Sequence, residues 1–553
     1  MDDRNMEQTT TNEKLGDEES GFDRSLQSSK GEDSSSASSI ENTETQKEQA
    51  ALSKAQIVPL SAALAIAVFC VALDNTIIST AIPKITDRFE ELSDVGWYGS
   101  AYLLTNCTFQ LVFGKLYSVF HIKWTFMFAL AIFEIGSVVC AAAPTSDALI
   151  IGRALAGVGA GGLFSGTLII IAHTVPMADR PVYIGGISSM FGIASIVGPL
   201  LGGAFTDLVT WRLCFYINLP LGLMTAIGVM SCLRKAEGLN KADRTKNIFA
   251  RLNSVDPVGI VLFIGSVICL LLALQWGGTF MEWSDARIIA LFVVSGIAFL
   301  VFLAEQWWMG EGALVPAEIL VYCRTVPFSL IWAFFIGASF FTFVYFLPMW
   351  FQVIKNTSAV GSGIHTLAFL LSQVVATIFS GVAVKKFGYY VPLMWLSAIF
   401  SSVGSGLMTT FGAETPSREW IGYQIIFGLG IGFGMQQAVV AVQTVLPKKH
   451  VAIGSSLVMF FQLLGGSIFV SVAQSVFTNK LFMEITKINP ELPVESIIGE
   501  GATQLRKMVD IVDLPDLLIA YNDALILSFR IGLAMACLLV VGVIGMEWRT
   551  VKG

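Results

Sequence analysis

Asp74 lies in the run VALDNTIISTAIP and Arg153 in IIGRALAGVGAGG, two stretches with no other charged residue. A charged side chain inside a bilayer is costly and marks a functional site by default. If their helices hold the two at one depth, Asp74 is a proton acceptor whose affinity depends on Arg153 and on which side of the protein is open. The alternative is a static ion pair that fixes helix packing. Glu134, Glu305 and Arg530 are further ionisable residues in apolar surroundings.

Asn106 and Gln110 stand four apart and so share one helix face. Gln373, Gln436, Gln437, Gln443 and Gln462 are further amides in apolar runs. Asn106, Gln110, Gln436, Gln437 and Gln462 are the candidates for hydrogen-bonding a neutral, mostly apolar ligand. The competing role is interhelical hydrogen bonding, worth about 0.6 kcal/mol each. Gly185, Gly198-Pro199 and Gly202-Gly203 share one apolar run, where glycine allows close approach and proline bends a helix. They read as a pliable seam or as plain close packing. Phenylalanine is abundant (40 residues), densest in FFIGASFFTFVYFLPMWF (334–351), and most of these rings are expected to face lipid or neighbouring helices.

Several chemistries are excluded. GxxxxGK[ST] is missing, since Gly114-Lys115 is followed by Leu116, so nucleotide binding is not expected. Neither HExxH nor GxSxG occurs. Eight cysteines without a CxxC and four scattered histidines give no disulfide frame and no metal site. No basic, aromatic face for nucleic acid is present.

The elements that would position these residues follow from composition. Of 553 residues 54% are hydrophobic and 14% charged, with mean hydropathy +0.70; a soluble domain has roughly 45–50% and about 25%. The net charge of −7 belongs to residues 1–54, which hold 13 acids and 6 bases, so the remainder is neutral. That Ser- and Glu-rich tail reads as a disordered cytoplasmic segment, solvated or phosphorylated, and not as a signal peptide. From residue 57 onward, apolar runs of about 20 residues recur, each able to cross a ~30 Å hydrocarbon core as a helix. They fall at 57–80, 97–119, 125–143, 148–172, 183–205, 213–233, 256–275, 287–308, 325–348, 361–383, 391–411, 420–445, 453–477 and 521–546. The fold class is therefore all-α integral membrane, with fourteen transmembrane helices.

Lys and Arg concentrate in alternate loops (Lys115 and Lys123, Arg180, Arg234 to Arg251, Lys385 and Lys386, Lys448 and Lys449), which places both termini in the cytoplasm. Asn356-Thr357-Ser358, a glycosylation sequon, then falls outside. The chain also repeats: PVYIGGISSMF (181–191) and HVAIGSSLVMF (450–460) share five identities at one offset, and AGVGAGG (156–162) has its counterpart in LGIGFGM (429–435). Spans one to six pair with nine to fourteen, and seven and eight are inserted, which puts Glu305 near an interface. The domains are the tail 1–54, a six-helix half 55–235, a basic loop with two inserted helices 236–322, and a second half 323–553 with an outer loop at 478–520. Parallel six-span halves describe a secondary transporter with its site between them at the midplane.

These residues resemble the major facilitator superfamily, specifically the fourteen-span drug:proton antiporters of fungi. LDNTIISTAIP (73–83) is similar to the first-helix motif LDxTxxxxAxP, and LIIGRALAGVGAGG (149–162) to the fourth-helix motif, with Arg153 at its proton-coupling arginine. GISSMFGIASIVGPLLGG (186–203) ends in the antiporter GPxxGG, and WRLCFYINLPLG (211–222) resembles WRWxFxINxPxG. One departure is GKLYSVFHIKW (114–124), where Ser118 and His121 replace the aspartate and glycine of GxLaDrxGrk, leaving Gly114 and Lys123 of the cytoplasmic gating loop. The resemblance implies a monomeric plasma-membrane exporter of a small, mostly apolar molecule, a fungal metabolite, toxin or drug, driven by protons without a cofactor. A vacuolar or vesicle membrane is the alternative location. A proton-coupled importer of an iron–siderophore complex is the alternative within the class, and a polytopic receptor or enzyme the alternative outside it.

Overall fold

A computed structural model describes residues 54–91, 94–233, 255–278, 281–488 and 514–552. The expectations for the tail up to residue 53, for the basic residues Arg234 to Arg251 and for the middle of the outer loop 478–520 fall outside the described residues. Fourteen long helices are found among those described. They are α1 (Lys54–Phe89), α2 (Val95–Val119), α3 (Ile122–Ala142), α4 (Ser146–Thr174), α5 (Arg180–Leu208), α6 (Asn218–Cys232) and α7 (Pro257–Trp276). Then follow α8 (Ala286–Met309), α9 (Thr325–Val353), α10 (Leu367–Phe387), α11 (Val391–Met408), α12 (Ser417–Gly434), α13 (Val451–Ile488) and α14 (Leu514–Ile544). Short helices Leu213–Tyr216, Ala317–Val321, Ala359–His365 and Gln437–Val445 sit between them.

Among the described residues, thirteen helical segments are long and apolar enough to cross a membrane. The fourteenth, α2, is as long but carries Asn106, Thr108, Gln110 and Lys115, all buried within the protein. Protein, not lipid, surrounds those side chains, so the helix need not be apolar all round. Local signals set the ends. Thr145 accepts from Ala148 N to cap α4, Pro257 opens α7 behind Asp256, and Gly388 at φ 90° closes α10 in the left-handed conformation that glycine adopts without penalty.

The packing repeats. Helix α1 lies on α5 and α6, α2 on α4, and α3 on α4 and α6; likewise α9 lies on α13 and α14, α10 on α12, and α11 on α12 and α14. Across the middle, α5 meets α10 and α2 meets α13, a pair of contacts that the same correspondence exchanges. Two glycine rows fix the register. A methyl on Gly159 would meet Phe133 N of α3, and one on Gly430 would meet Ser401 N of α11. Gly157 and Gly161 face α2 at Tyr102 and Asn106, as Gly428 and Gly432 face α10 at Phe369 and Gln373. Asn106 and Gln373 are thus equivalent positions.

Helices α7 and α8 pack on each other, and α7 leans on α2 and α13. Phe263 meets Phe460 at 5.1 Å and Trp276 meets Trp97 at 5.8 Å. Beyond α7, Trp283 donates to Ser475 Oγ at 3.1 Å. The inserted pair covers the α2/α13 seam and leaves the α5/α10 seam uncovered by it. Helix α8 presents Trp307 and Trp308, 85% and 88% exposed, at its end. The end of the bundle where α1 begins and α14 finishes is called the base below.

Candidate functional site

Helices α1, α4 and α6 each deliver one polar side chain to a point inside the first half. Asp74 and Arg153 are both fully buried, with Arg153 Nη1 2.5 Å from Asp74 Oδ2. Asn218 Nδ2 donates to the other carboxylate oxygen at 2.9 Å and to Ser137 Oγ at 3.1 Å. Cys70 Sγ donates to Asn218 Oδ1 at 3.4 Å. Arg153 is oriented by donating from Nε to Tyr98 O at 2.7 Å, and its guanidinium lies 4.4 Å from the Tyr102 ring centre. Such a pair resists separation, because removing one partner leaves an uncompensated buried charge, a cost of about 3–5 kcal/mol. The one way to release it without stranding a charge on Asp74 is to put a proton there.

Glu134 stands near this network, on α3 one turn before Ser137. Both its carboxyl oxygens are buried without a hydrogen-bond partner, and Gly222 leaves room for them, since a methyl there would overlap the carboxyl group. Glu305 is half-buried and accepts from Gln306 Nε2 at 2.5 Å, whereas Arg530 is exposed on α14.

The amides are all buried. Asn106 Oδ1 and both polar atoms of Gln110 have no partner. Gln437 donates to Ser380 Oγ of α10 at 3.1 Å, Gln462 to Met435 Sδ at 3.4 Å, and Gln443 crosses to Leu168 O of α4 at 3.4 Å. The oxygens of Gln373, Gln436, Gln437, Gln443 and Gln462 are unpartnered. Helix α12 is interrupted at Met435-Gln436, next to this cluster. Interhelical bonding therefore uses some of the nitrogens and leaves the oxygens.

The glycines of α5 divide. Gly198 packs on Thr76 and Gly202 on Ile77 and Thr80, all of α1 in the same half, while Gly185 approaches Thr377 O and Gly192 approaches Val374, both of α10 across the middle. Gly203 faces open space, and Pro199 lies inside the helix. This one run, read as a pliable seam or as plain close packing, thus makes contacts of two kinds, within the half and across the middle. Gly198 and Gly202 are one turn apart, but Gly185 lies roughly 100–140° from them around the helix.

At the base, Gly114 of α2 sits against Ser456 of α13, and Gly381 of α10 against Pro181 at the start of α5. Lys385 pairs with Asp179 at 2.8 Å. Lys115, beside Gly114, donates to Gly312 O at 2.9 Å and Ala313 O at 2.5 Å, in the strap that joins α8 to α9. Asp256, fully buried at φ 62°, accepts from Gly259 N, Leu314 N and Gln306 Nε2 at 2.7–2.8 Å. Further along the strap, Glu318 lies 3.6 Å from Lys449 Nζ and 3.4 Å from His450 Nε2. Lys123 does not reach across; it donates to Met230 O of its own half at 3.3 Å, and Ser118 donates to Lys115 O at 2.8 Å. Sequence reasoning missed Asn218 and Asp256. The first was in view within WRLCFYINLPLG, and the second precedes a proline that opens a helix. Asn356 is exposed at φ 54° on the turn after α9. Among the described residues, no group of three or more His, Cys, Asp or Glu could hold a metal.

Residues 64–470 match the family model described as Major Facilitator Superfamily. The MFS-type efflux pump MFS1 of Arthroderma benhamiae is 51% identical over 490 residues, covering 89% of this chain and 91% of that one. The efflux pump aflT of Aspergillus parasiticus is 48% identical, covering 88% and 95%. The Aspyridones efflux protein of Neocamarosporium betae is 46% identical, covering 90% and 88%. Among solved structures, the human organic anion transporter MFSD10 overlays with TM-score 0.53 at 11% identity, covering 86% of this chain and 99% of that one. The proton:xylose symporter XylE overlays at 0.51 and 14%, covering 90% and 98%. The family match and these relatives, together with the helices long and apolar enough to span a membrane, define a multi-pass membrane transporter. The chain belongs to the major facilitator superfamily.

Proposed function

We propose that the chain is a proton-coupled efflux pump that moves a small, mostly apolar molecule outward by alternating access between halves 55–235 and 323–553, with α7 and α8 as an inserted pair. The observation that carries the reading is the fully buried Asp74–Arg153 pair with Asn218 on the free carboxylate oxygen. Identity of 46–51% to proteins named as efflux pumps supports the outward direction. A proton arriving on Asp74 neutralises the carboxylate, weakens its hold on Arg153 and lets α1 and α4 part. Loss of the proton to the opposite side restores the pair. No cofactor is needed, because the proton gradient supplies the drive.

In this reading the base faces the cytoplasm, both termini lie there, and Asn356 faces outside as a glycosylation acceptor. The plasma membrane is the site of action and the monomer the working unit. Cargo binds between the halves near Asn106, Gln110, Gln436, Gln437 and Gln462, all buried polar groups in apolar surroundings. Gly185, Gly198, Pro199, Gly202 and Gly203 govern helix rocking, and Gly114 with its neighbours closes the base. The test is gradient-driven export of an apolar drug panel from cells expressing the full chain or Asp74→Asn at equal surface abundance. Export by the wild type and loss in the variant are expected; full export by the variant overturns the coupling role.

A further inference from the structure

We propose that the glutamine cluster of the second half selects cargo that donates hydrogen bonds, a compact apolar molecule bearing phenolic or alcoholic O–H groups or N–H groups. This rests on the export reading above and adds the chemistry of the molecule carried.

Each amide is turned by the groups around it. Ser380 Oγ donates to Thr377 O at 3.1 Å, so toward Gln437 it can only accept, and Gln437 must present its nitrogen there. Gln462 presents its nitrogen to the thioether of Met435, which accepts only. Gln443 presents its nitrogen to the carbonyl of Leu168. In all three, an acceptor fixes the amide, and the carbonyl oxygen is turned away, buried and without a donor. Gln436, next in sequence to Gln437, leaves its oxygen unpartnered as well. These four residues are 1–7% exposed.

Buried acceptors without donors are costly, and proteins rarely keep several together. Here they lie on or beside the helices that border the two seams, and Gln443 bonds across the middle. Gln437 bonds α10 of the α5/α10 seam, Gln462 belongs to α13 of the α2/α13 seam, and Gln443 reaches the opposite half. A molecule entering between the halves would supply the missing donors, and one without donors would leave the oxygens desolvated. A site built to receive a hydroxyl discriminates strongly against an analogue lacking it. Asn106 Oδ1 in the first half adds one more unpaired acceptor, while Gln110 offers both a donor and an acceptor.

The test uses the full chain in sealed vesicles with an imposed pH gradient and three probes. They are a trihydroxyanthraquinone, its trimethyl ether, and a donor-free apolar dye. The expected result is export of the triol at least about fivefold faster than the ether, with the ratio falling toward one in Gln437→Met and Gln462→Met at equal protein abundance. Equal export of triol and ether, or variants that lower both rates in parallel with an unchanged ratio, would overturn the selectivity while leaving the export reading intact. Failure to move any of the three under the gradient would overturn both.

Discussion

Asn218 of α6 donates to the one oxygen of Asp74 that Arg153 does not hold, at 2.9 Å. One carboxylate thereby ties α1 to α4 through Arg153 and to α6 through Asn218, and the same amide nitrogen reaches Ser137 of α3. Four helices of the first half register one group, so its protonation state is felt by all of them.

Asn218→Leu removes the donor from a buried carboxylate oxygen and strands Ser137 Oγ and Cys70 Sγ. An unsatisfied buried group costs about 1–3 kcal/mol, more when charged. Thermal unfolding of the purified variant should show a lower Tm, and gradient-driven export should fall at least about tenfold. Unchanged stability together with unchanged export would mean that Asn218 is a bystander.

The glycine rows give a paired expectation. At Gly159 and Gly430 a side chain meets the backbone nitrogens of Phe133 and Ser401, which cannot move aside without displacing a helix. Overpacking costs typically about 1–3 kcal/mol, so Gly159→Val and Gly430→Val should each reduce the folded yield and the Tm. Gly203→Ala meets nothing within 4 Å and should stay within about 0.5 kcal/mol of wild type, although it lies in the GPLLGG run that resembles an antiporter motif.

How far the sequence reveals this arrangement depends on what kind of signal each residue carries. Asp74 and Arg153 stand out because a lone charge in an apolar run violates the composition around it. Asn218 does not, since an asparagine near the start of a span reads as turn chemistry. Asp256 is likewise hidden at the border of a basic segment, where an acid is unremarkable until it is seen buried with three donors. The strings AGVGAGG and LGIGFGM announce a repeat, but aligning them end to end puts Gly157 on Gly430. The facing helices instead pair it with Gly428. The α5 glycines mislead differently: periodicity separates Gly185 from Gly198 and Gly202 around the helix, yet only the packed neighbours tell which face meets which half. Helix α2 is legible by length alone, because its burial, not its hydropathy, allows its polar residues.

At the base, the strap between α8 and α9 holds α2 through Lys115 and the start of α13 through Glu318. Asp256→Ala frees Leu314 N and Gln306 Nε2, and Lys115→Met removes the ammonium from two carbonyls. Either change should raise the labelling rate of Ser456→Cys by a bulky, impermeant thiol reagent applied from the base side several-fold over Ser456→Cys alone. Equal rates would show that the strap does not help close this face.

His450 gives the base a pH dependence. Burial pushes its imidazole below the usual value and Lys449 adds to this, while Glu318 and Glu311 oppose it. The opened or unfolded chain then binds the proton near the ordinary pKa of about 6.5, and the closed base only at lower pH. Stability of the closed base is complete above ~6.5 and declines as pH falls through that value. Labelling of Ser456→Cys, corrected for reagent reactivity, should increase between pH 7.5 and 5.5, and His450→Gln should flatten the profile. Tighter closure on acidification would contradict the assignment.

The proposed cycle places the coupled proton on Asp74. It is tested most directly in sealed proteoliposomes of the full chain, by following uptake or release of an exported drug while a pH gradient is imposed and then collapsed. Asp74→Asn is compared with Asp74→Glu and wild type at equal Tm and equal abundance. Asp74→Asn should fail to concentrate the drug under the gradient but still equilibrate it, and Asp74→Glu should retain part of the coupling. Drug accumulation by Asp74→Asn that still follows the gradient would contradict this role of Asp74.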